Sequence, residues 1–238
     1  MTRPESSSVG DAGQTLAIQR HRSPDRPRLF TLFDREWDLV PEVYAPVYAS
    51  STRLFTQWLQ YPEGGSMLEM GCGAGVTAVM AALSDCRSVV AIDINPAAVE
   101  NTRLNTIRHG VAGRVRVLTS DMYEALDPTE TFDLIFWNSN FVEAPATAAY
   151  ESDLDRAFFD PGYASHERYL AGARQHLLPH GRLLLGFADL GNREHLEEIA
   201  KRYRYRTDTF IEERHTTASG RTVTFQLLEF VPLGNSVS

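Results

Sequence analysis

Three groups of residues in this chain have the types and spacing to do chemistry together. Glu69, Gly71, Gly73 and Gly75 alternate in the run MLEMGCGAG, where glycines let a backbone turn sharply and a ligand come close, because no Cβ intervenes. Asp93 ends the apolar run VVAIDI about 20 residues beyond that turn, the interval at which an acidic group reaches a ribose. A carboxylate there can accept from both vicinal hydroxyls at once, and such charge-assisted bonds are stronger than neutral ones. Asn138, Ser139, Asn140 and Phe141 close a third apolar run, FDLIFWNSNF, and put amide, hydroxyl and ring groups together at its end.

These groups need strands to carry them and helices to cover the strands. MLEM reads as a buried strand and VTAVMAALSD as a helix packed on a sheet, so the helix would aim its free N–H groups and positive dipole end at the occupant of the glycine turn. A dinucleotide fingerprint wants Gly or Ala three residues after its second glycine; counted from Gly73 that place is Val76. VVAIDI is a second strand, followed by NPAAVENTRLNTIRHG, a helix capped by Asn95 with Pro96 at its first position and stopped by Gly110. RVRVLTSDM is a third strand leaving at Ser120, Asp121 and Met122, and FDLIFWN is nearly continuously apolar, as a central parallel strand buried on both faces should be. RLLLGFADL, NREHLEEIAKRYRY and TDTFIEERHTTASGRTVTFQLLEF read as a fifth strand, a charged amphipathic helix and a hairpin turning at Ser219 and Gly220. Alternating strands and helices ending in an antiparallel pair predict an α/β fold with a seven-stranded, mostly parallel sheet.

Glu69-x-Gly71-x-Gly73-x-Gly75 resembles motif I of the class I S-adenosylmethionine (SAM) methyltransferases, a Rossmann-like fold. The resemblance implies that Glu69, Gly71, Cys72, Gly73 and Gly75 lie under the amino-acid part of SAM, Asp93 with Ile94 at its ribose, and Asp121 with Met122 at its adenine. On the residues alone, Asp93 is also readable as a surface turn residue and Asp121 as a helix cap. Asn138 to Phe141 resembles the Asn-Pro-Pro-Tyr/Phe motif of the release-factor glutamine and rRNA N-methyltransferases, with both prolines replaced. It implies that Asn138 contacts both SAM and the target amino group, as the catalytic residue, and that Phe141 stacks on the substrate. The bland alternative is a polar strand-end loop. Upstream, Val43, Tyr44 and Pro46 match the opening segment of the same families, with Val47 in place of a basic residue and about two extra residues before Thr52. Tyr44 and Tyr48 are therefore expected at the substrate opening, and Glu143 is a candidate base for an amine. The long stretch 142–162 should shape the acceptor pocket, since it follows the fourth strand at the carboxyl edge of the sheet. His166 and His176, on the next helix, are explained by exposed faces or caps at least as well as by catalysis. The resemblance covers residues 29–232.

With 238 residues and 43% hydrophobic content, the chain fits one α/β domain with an appendage. The organisation expected is a disordered tail over 1–28 with one helical turn near Leu16 to Arg20, a flap and helix over 29–62, the SAM-binding domain over 63–232 and a short tail over 233–238. The basic run Arg20 to Arg28 is read as solvated or as a contact for an acidic partner. A net charge of −8 weighs against a large nucleic-acid substrate. Two cysteines, Cys72 and Cys86, offer neither a disulfide framework nor a zinc cluster, so no metal is expected. No apolar run is long enough to span a bilayer, and the cytoplasm is the default location. The expected activity is methyl transfer from SAM to a nitrogen of a protein side chain, an amino acid or a small amine. The alternatives are an O- or C-methyltransferase of small molecules and a SAM-binding regulator without turnover.

Overall fold

The computed structural model describes residues 18–216, 220 and 222–234. A hairpin of β1 (Leu29–Leu32) and β2 (Arg35–Asp38) is followed by helix α1 (Ser51–Trp58). The sheet is then built by β3 (Ser66–Met70), α2 (Val76–Leu83), β4 (Ser88–Asp93), α3 (Pro96–Arg108), β5 (Val115–Thr119) and β6 (Phe132–Asn138). A two-residue ladder of β7 (Glu143–Ala144) and β8 (Asp160–Pro161) brackets the long loop, and α4 (Ala164–His176), β9 (Leu177–Ala188), α5 (Arg193–Arg202), β10 (Tyr205–Thr216) and β11 (Thr222–Pro232) complete the chain. The seven strands lie in the order β10-β11-β9-β6-β3-β4-β5. Pairing is parallel from β5 to β9 and antiparallel through β11 and β10. This is the Rossmann-like sheet expected, although Ser219, at the predicted turn of the last hairpin, lies outside the described residues.

Alternation along the strands divides the apolar residues into two cores. Met67, Ala91, Leu134 and Phe136 face α1, α2, α3 and the hairpin. Leu68, Ile92, Ile135 and Trp137 face α4 and α5 through Tyr169, Leu170, Leu196 and Ile199. The chain moves outward from β3 to β4 and β5, then crosses back to place β6 on the other side of β3. The carboxyl ends of β3 and β6 therefore flank a topological switch point, where open α/β sheets form their ligand crevice.

The flap is not free to hang over this crevice. Asn101 and Asn105 on α3 are fully buried and exchange side-chain hydrogen bonds with the backbone of Asp38 and Val40. Asn95 caps α3 through Ala97 N–H and donates its amide to Glu42 O at 2.7 Å, so one residue fixes both helix and flap. Ordered structure also begins before the expected boundary at residue 28. Residues 18–22 are helical and His21 is only 2% exposed, while residues 1–17 lie outside the described residues.

Candidate functional site

At the switch point a cavity of about 1420 Å³ opens along the ends of β3, β4, β5 and β6. A pocket for one drug-sized ligand occupies roughly 300–1,000 Å³, so there is room for two reactants side by side.

The donor end is built largely from backbone. Gly71, Gly73 and Gly75 all have left-handed φ, at 60°, 54° and 77°, yet they differ in what a side chain would meet. A Cβ on Gly73 would meet nothing within 4 Å, whereas one on Gly75 would lie 2.8 Å from the Thr102 methyl. One on Gly71 would come within 3.1 Å of Trp137 Nε1. Gly73 thus leaves open room at the cavity, and Gly75 lets α2 pack closely on α3. Gly75 does not line the cavity, although Ala74 and Val76 on either side of it do. Cys72 is buried at the wall, with the Thr102 hydroxyl 3.2 Å from its sulfur and 3.0 Å from Gly73 O.

Asp93 has the geometry of a diol acceptor. Its Oδ2 accepts from Gly73 N–H and its Oδ1 from Asn95 N–H, both at 2.9 Å. Each carboxylate oxygen has a second acceptor site, so one lone pair on each remains for a pair of hydroxyls. Burial raises its pKa to about 6. Glu69 sits in the middle of β3, where every residue is buried, and burial pushes its pKa to about 8. Its Oε2 is buried at the cavity with no hydrogen-bond partner. A buried acceptor without a donor is costly, and a ligand ammonium would supply the missing charge and proton. Ile94, Asp121 and Met122 also line the cavity. Asp121 is held by Arg168 at 2.6 Å, and Met122 has a positive φ of 51°, with its carbonyl taken by the Ser120 hydroxyl. Among the described residues no His/Cys/Asp/Glu cluster could hold a metal. The diol acceptor, the open glycine and the carboxylate with one unpartnered oxygen fit SAM.

The acceptor end is built from side chains. Asn138 ends β6 at the wall, and its amide makes one long contact, 3.5 Å to the Thr52 hydroxyl. Ser139 and Asn140, in the places of the two prolines, do by hydrogen bonding what rings would do by stiffness. The Ser139 hydroxyl donates to Gly186 O at 2.8 Å. Asn140 donates to both Arg156 O and Phe159 O at 2.8 Å, which ties the motif to the loop that follows it. Phe141 lines the cavity, and its carbonyl accepts from Tyr163, a buried residue in left-handed conformation.

Tyr44 and Tyr48 are in the wall as expected, and burial raises the Tyr44 pKa to about 12. Glu143 is not. It lies in the β7–β8 ladder outside the cavity wall, where its carboxylate binds His195 Nδ1 and Asn192 Nδ2 at 2.7 Å. His166 and His176 are buried rather than exposed. His166 Nδ1 is 2.8 Å from fully buried Asp160, and His176 Nδ1 is 2.8 Å from Glu130 O. The wall further includes Thr52, which the sequence named only as the end of the opening segment, and Asp153, Phe158 and His21, which it did not single out. The one available signal was charge complementarity between the basic run 20–28 and the acidic run 151–155.

The methyltransferase small domain family matches residues 46–209. A release factor glutamine methyltransferase of Bordetella pertussis is 31% identical over 185 residues, covering 70% of this chain and 66% of that protein. A bifunctional methyltransferase of Rickettsia typhi is 29% identical over 154 residues, which are 60% of this chain and 29% of its own length. The chain thus spans just under two thirds of the first relative and under a third of the second. Among solved structures, precorrin 8W decarboxylase of Methanobacterium thermoautotrophicum has the same fold, with a TM-score of 0.56 at 19% identity over 83% of this chain and 97% of that one. The chain belongs to the methyltransferase small domain family, whose class I fold takes S-adenosylmethionine as its cofactor.

Proposed function

We propose that the protein transfers a methyl group from SAM to a nitrogen of a protein side-chain amide, an amino acid or a small amine. The observation that carries this reading is the side-chain amide of Asn138, placed in the same cavity as Glu69 and Asp93 and left almost free of internal partners. In this reading Asp93 holds the ribose, Glu69 the ammonium and the backbone at Gly73 the amino-acid part, with Asp121 and Met122 at the adenine. SAM supplies an electrophilic methyl group. The chain's own task is to hold an acceptor nitrogen in line with it and away from water, which can account for much of a rate enhancement.

An amide nitrogen is a poor nucleophile because its lone pair is delocalised. Acceptors preorganised around it, the Asn138 amide oxygen and the strand-end carbonyls, stabilise the positive charge that develops there. The bonds from Ser139 to Gly186 and from Asn140 to the following loop keep that strand end from reorganising. The proteins named release factor glutamine methyltransferase and ribosomal protein L11 methyltransferase add weight to a protein acceptor. Transfer of isotope-labelled methyl from SAM into cell extract, with identification of the product, tests the proposal. Label on nitrogen supports it and label on oxygen or carbon overturns the acceptor class. Tight SAM binding with no label moved leaves a regulator without turnover.

A further inference from the structure

The segment preceding the flap makes contacts that its composition does not foretell. His21 stacks on Tyr44 with centroids 4.6 Å apart and 27° between planes. It meets Tyr48 and Phe158 edge-on at 5.1 and 4.9 Å. These rings come from three separate stretches: the helical turn, the flap and the long loop. All four line the cavity. The segment is fastened at both sides. Arg22 reaches across to the loop, 2.7 Å from nearly buried Asp155 and 3.3 Å from Glu151 and Ser152, and Arg26 donates to Val43 O at 2.7 Å on the flap. Asp155 Oδ2 also accepts the N–H groups of Glu151 and Ser152, so Arg22 engages a carboxylate already fixed in the loop. That loop is joined to the Asn138 strand end through Asn140.

We infer that residues 18–28 are a strap that roofs the acceptor pocket, that buried His21 is the positioning residue that sets Tyr44, Tyr48 and Phe158 in its wall, and that the acceptor is a small flat nitrogen compound with a π face. The inference rests on the methyl-transfer reading above and narrows its acceptors to a small molecule, against a protein side chain. Aromatic rings prefer offset-stacked or edge-to-face partners, and a roof of four rings at a cavity wall rewards a planar guest such as a nitrogen heteroaromatic or an aromatic amide. With the strap latched to flap and loop on either side, a small molecule fits beneath it, whereas a folded protein's loop has to displace it.

The test uses the full chain saturated with S-adenosylhomocysteine and quinoline as the probe, followed by calorimetry. Quinoline should bind the parent and bind His21→Ala about tenfold more weakly, because Tyr44, Tyr48 and Phe158 lose the ring that holds them against one another. His21→Phe, which keeps a ring, should stay within about threefold of the parent. Arg22→Gln should weaken the probe and reduce the salt dependence of its binding, because the exposed Glu151 arm of the Arg22 latch is screened by salt. S-adenosylhomocysteine should bind the parent and all three variants alike, which also shows that the variants fold. No quinoline binding to the parent, or equal binding to His21→Ala, overturns the inference. So does tighter binding of N-acetyl-glutamine amide that is indifferent to His21, which would point to a protein side chain. Failure of S-adenosylhomocysteine to bind the parent sinks instead the methyl-transfer reading beneath it.

Discussion

The two ends of the cavity are made in different ways. The donor end is assembled from consecutive residues at the tips of three adjacent parallel strands, and most of its groups are backbone atoms or single carboxylates buried beside them. The acceptor end gathers side chains from the segment around residue 21, the flap, α1, the end of β6 and the loop after it. Its order comes from hydrogen bonds spanning 16 to 133 positions of sequence. A backbone cradle tolerates changes in side chains elsewhere, whereas an assembly of side chains can be altered one residue at a time. A fold that keeps one cofactor and changes its acceptor is suited to that division.

The largest expected effect lies at the acceptor end. Asn138→Ala should lower turnover by about 10²-fold, in the range found for loss of one preorganised polar group in an active site, and leave S-adenosylhomocysteine affinity nearly intact. Single-turnover methyl transfer and calorimetry on the same preparations measure the two, and equal turnover would remove Asn138 from the mechanism. At the donor end the asymmetry reverses. Asp93→Ala should cost roughly 1.5–3 kcal/mol of cofactor binding, the worth of hydrogen bonds to a charged group.

The glycines sharpen the contrast within the donor end. Gly75→Ala drives a Cβ into Thr102 and should lower Tm more than it lowers affinity. Gly73→Ala should cost about 1 kcal/mol in backbone strain at its positive φ, and its methyl group enters the space left for the ligand, so affinity should fall further than stability. Thermal melts with and without S-adenosylhomocysteine distinguish the two.

Glu69 gives an effect on stability rather than on turnover, and one that depends on pH. The unfolded chain loses the Glu69 proton near 4.5, whereas the folded chain keeps it to about 8. Between those values the native state binds the additional proton, so this group's contribution to stability is full below pH 4.5 and is lost as pH rises through 8. Glu69→Gln should therefore raise Tm relative to the parent at pH 8 and do little at pH 4, while weakening the cofactor. A parent and variant that melt in parallel across this range would show that the carboxyl is not held in its neutral form.

This difference in construction also decides what the sequence discloses. The donor end is legible because its determinants are local: an acidic residue, alternate glycines and an aspartate at the end of the next strand occupy fixed intervals along adjacent elements. The sheet is legible for the same reason, since its strands and helices alternate with clear punctuation. The acceptor end depends on long-range pairing. Glu143 stands next to a recognised motif, yet the β7–β8 pairing carries it out of the cavity. His21 stands in a polar stretch with no apolar periodicity, yet it is buried through rings and an ion pair supplied by residues far along the chain. His166 looks like a surface helix residue until Asp160, six positions earlier, is found folded back against it.

The account stands on a donor whose ammonium meets Glu69 and whose sugar meets Asp93. Calorimetric titration with S-adenosylhomocysteine at pH 7, in two buffers of different ionisation enthalpy, tests both contacts at once. A carboxyl that is mostly protonated when free and ionised beside a cation should release about one proton on binding, and Asp93→Ala should weaken the same titration at least tenfold. Absence of binding heat in both buffers, or binding with no proton release and no sensitivity to Asp93, would contradict it.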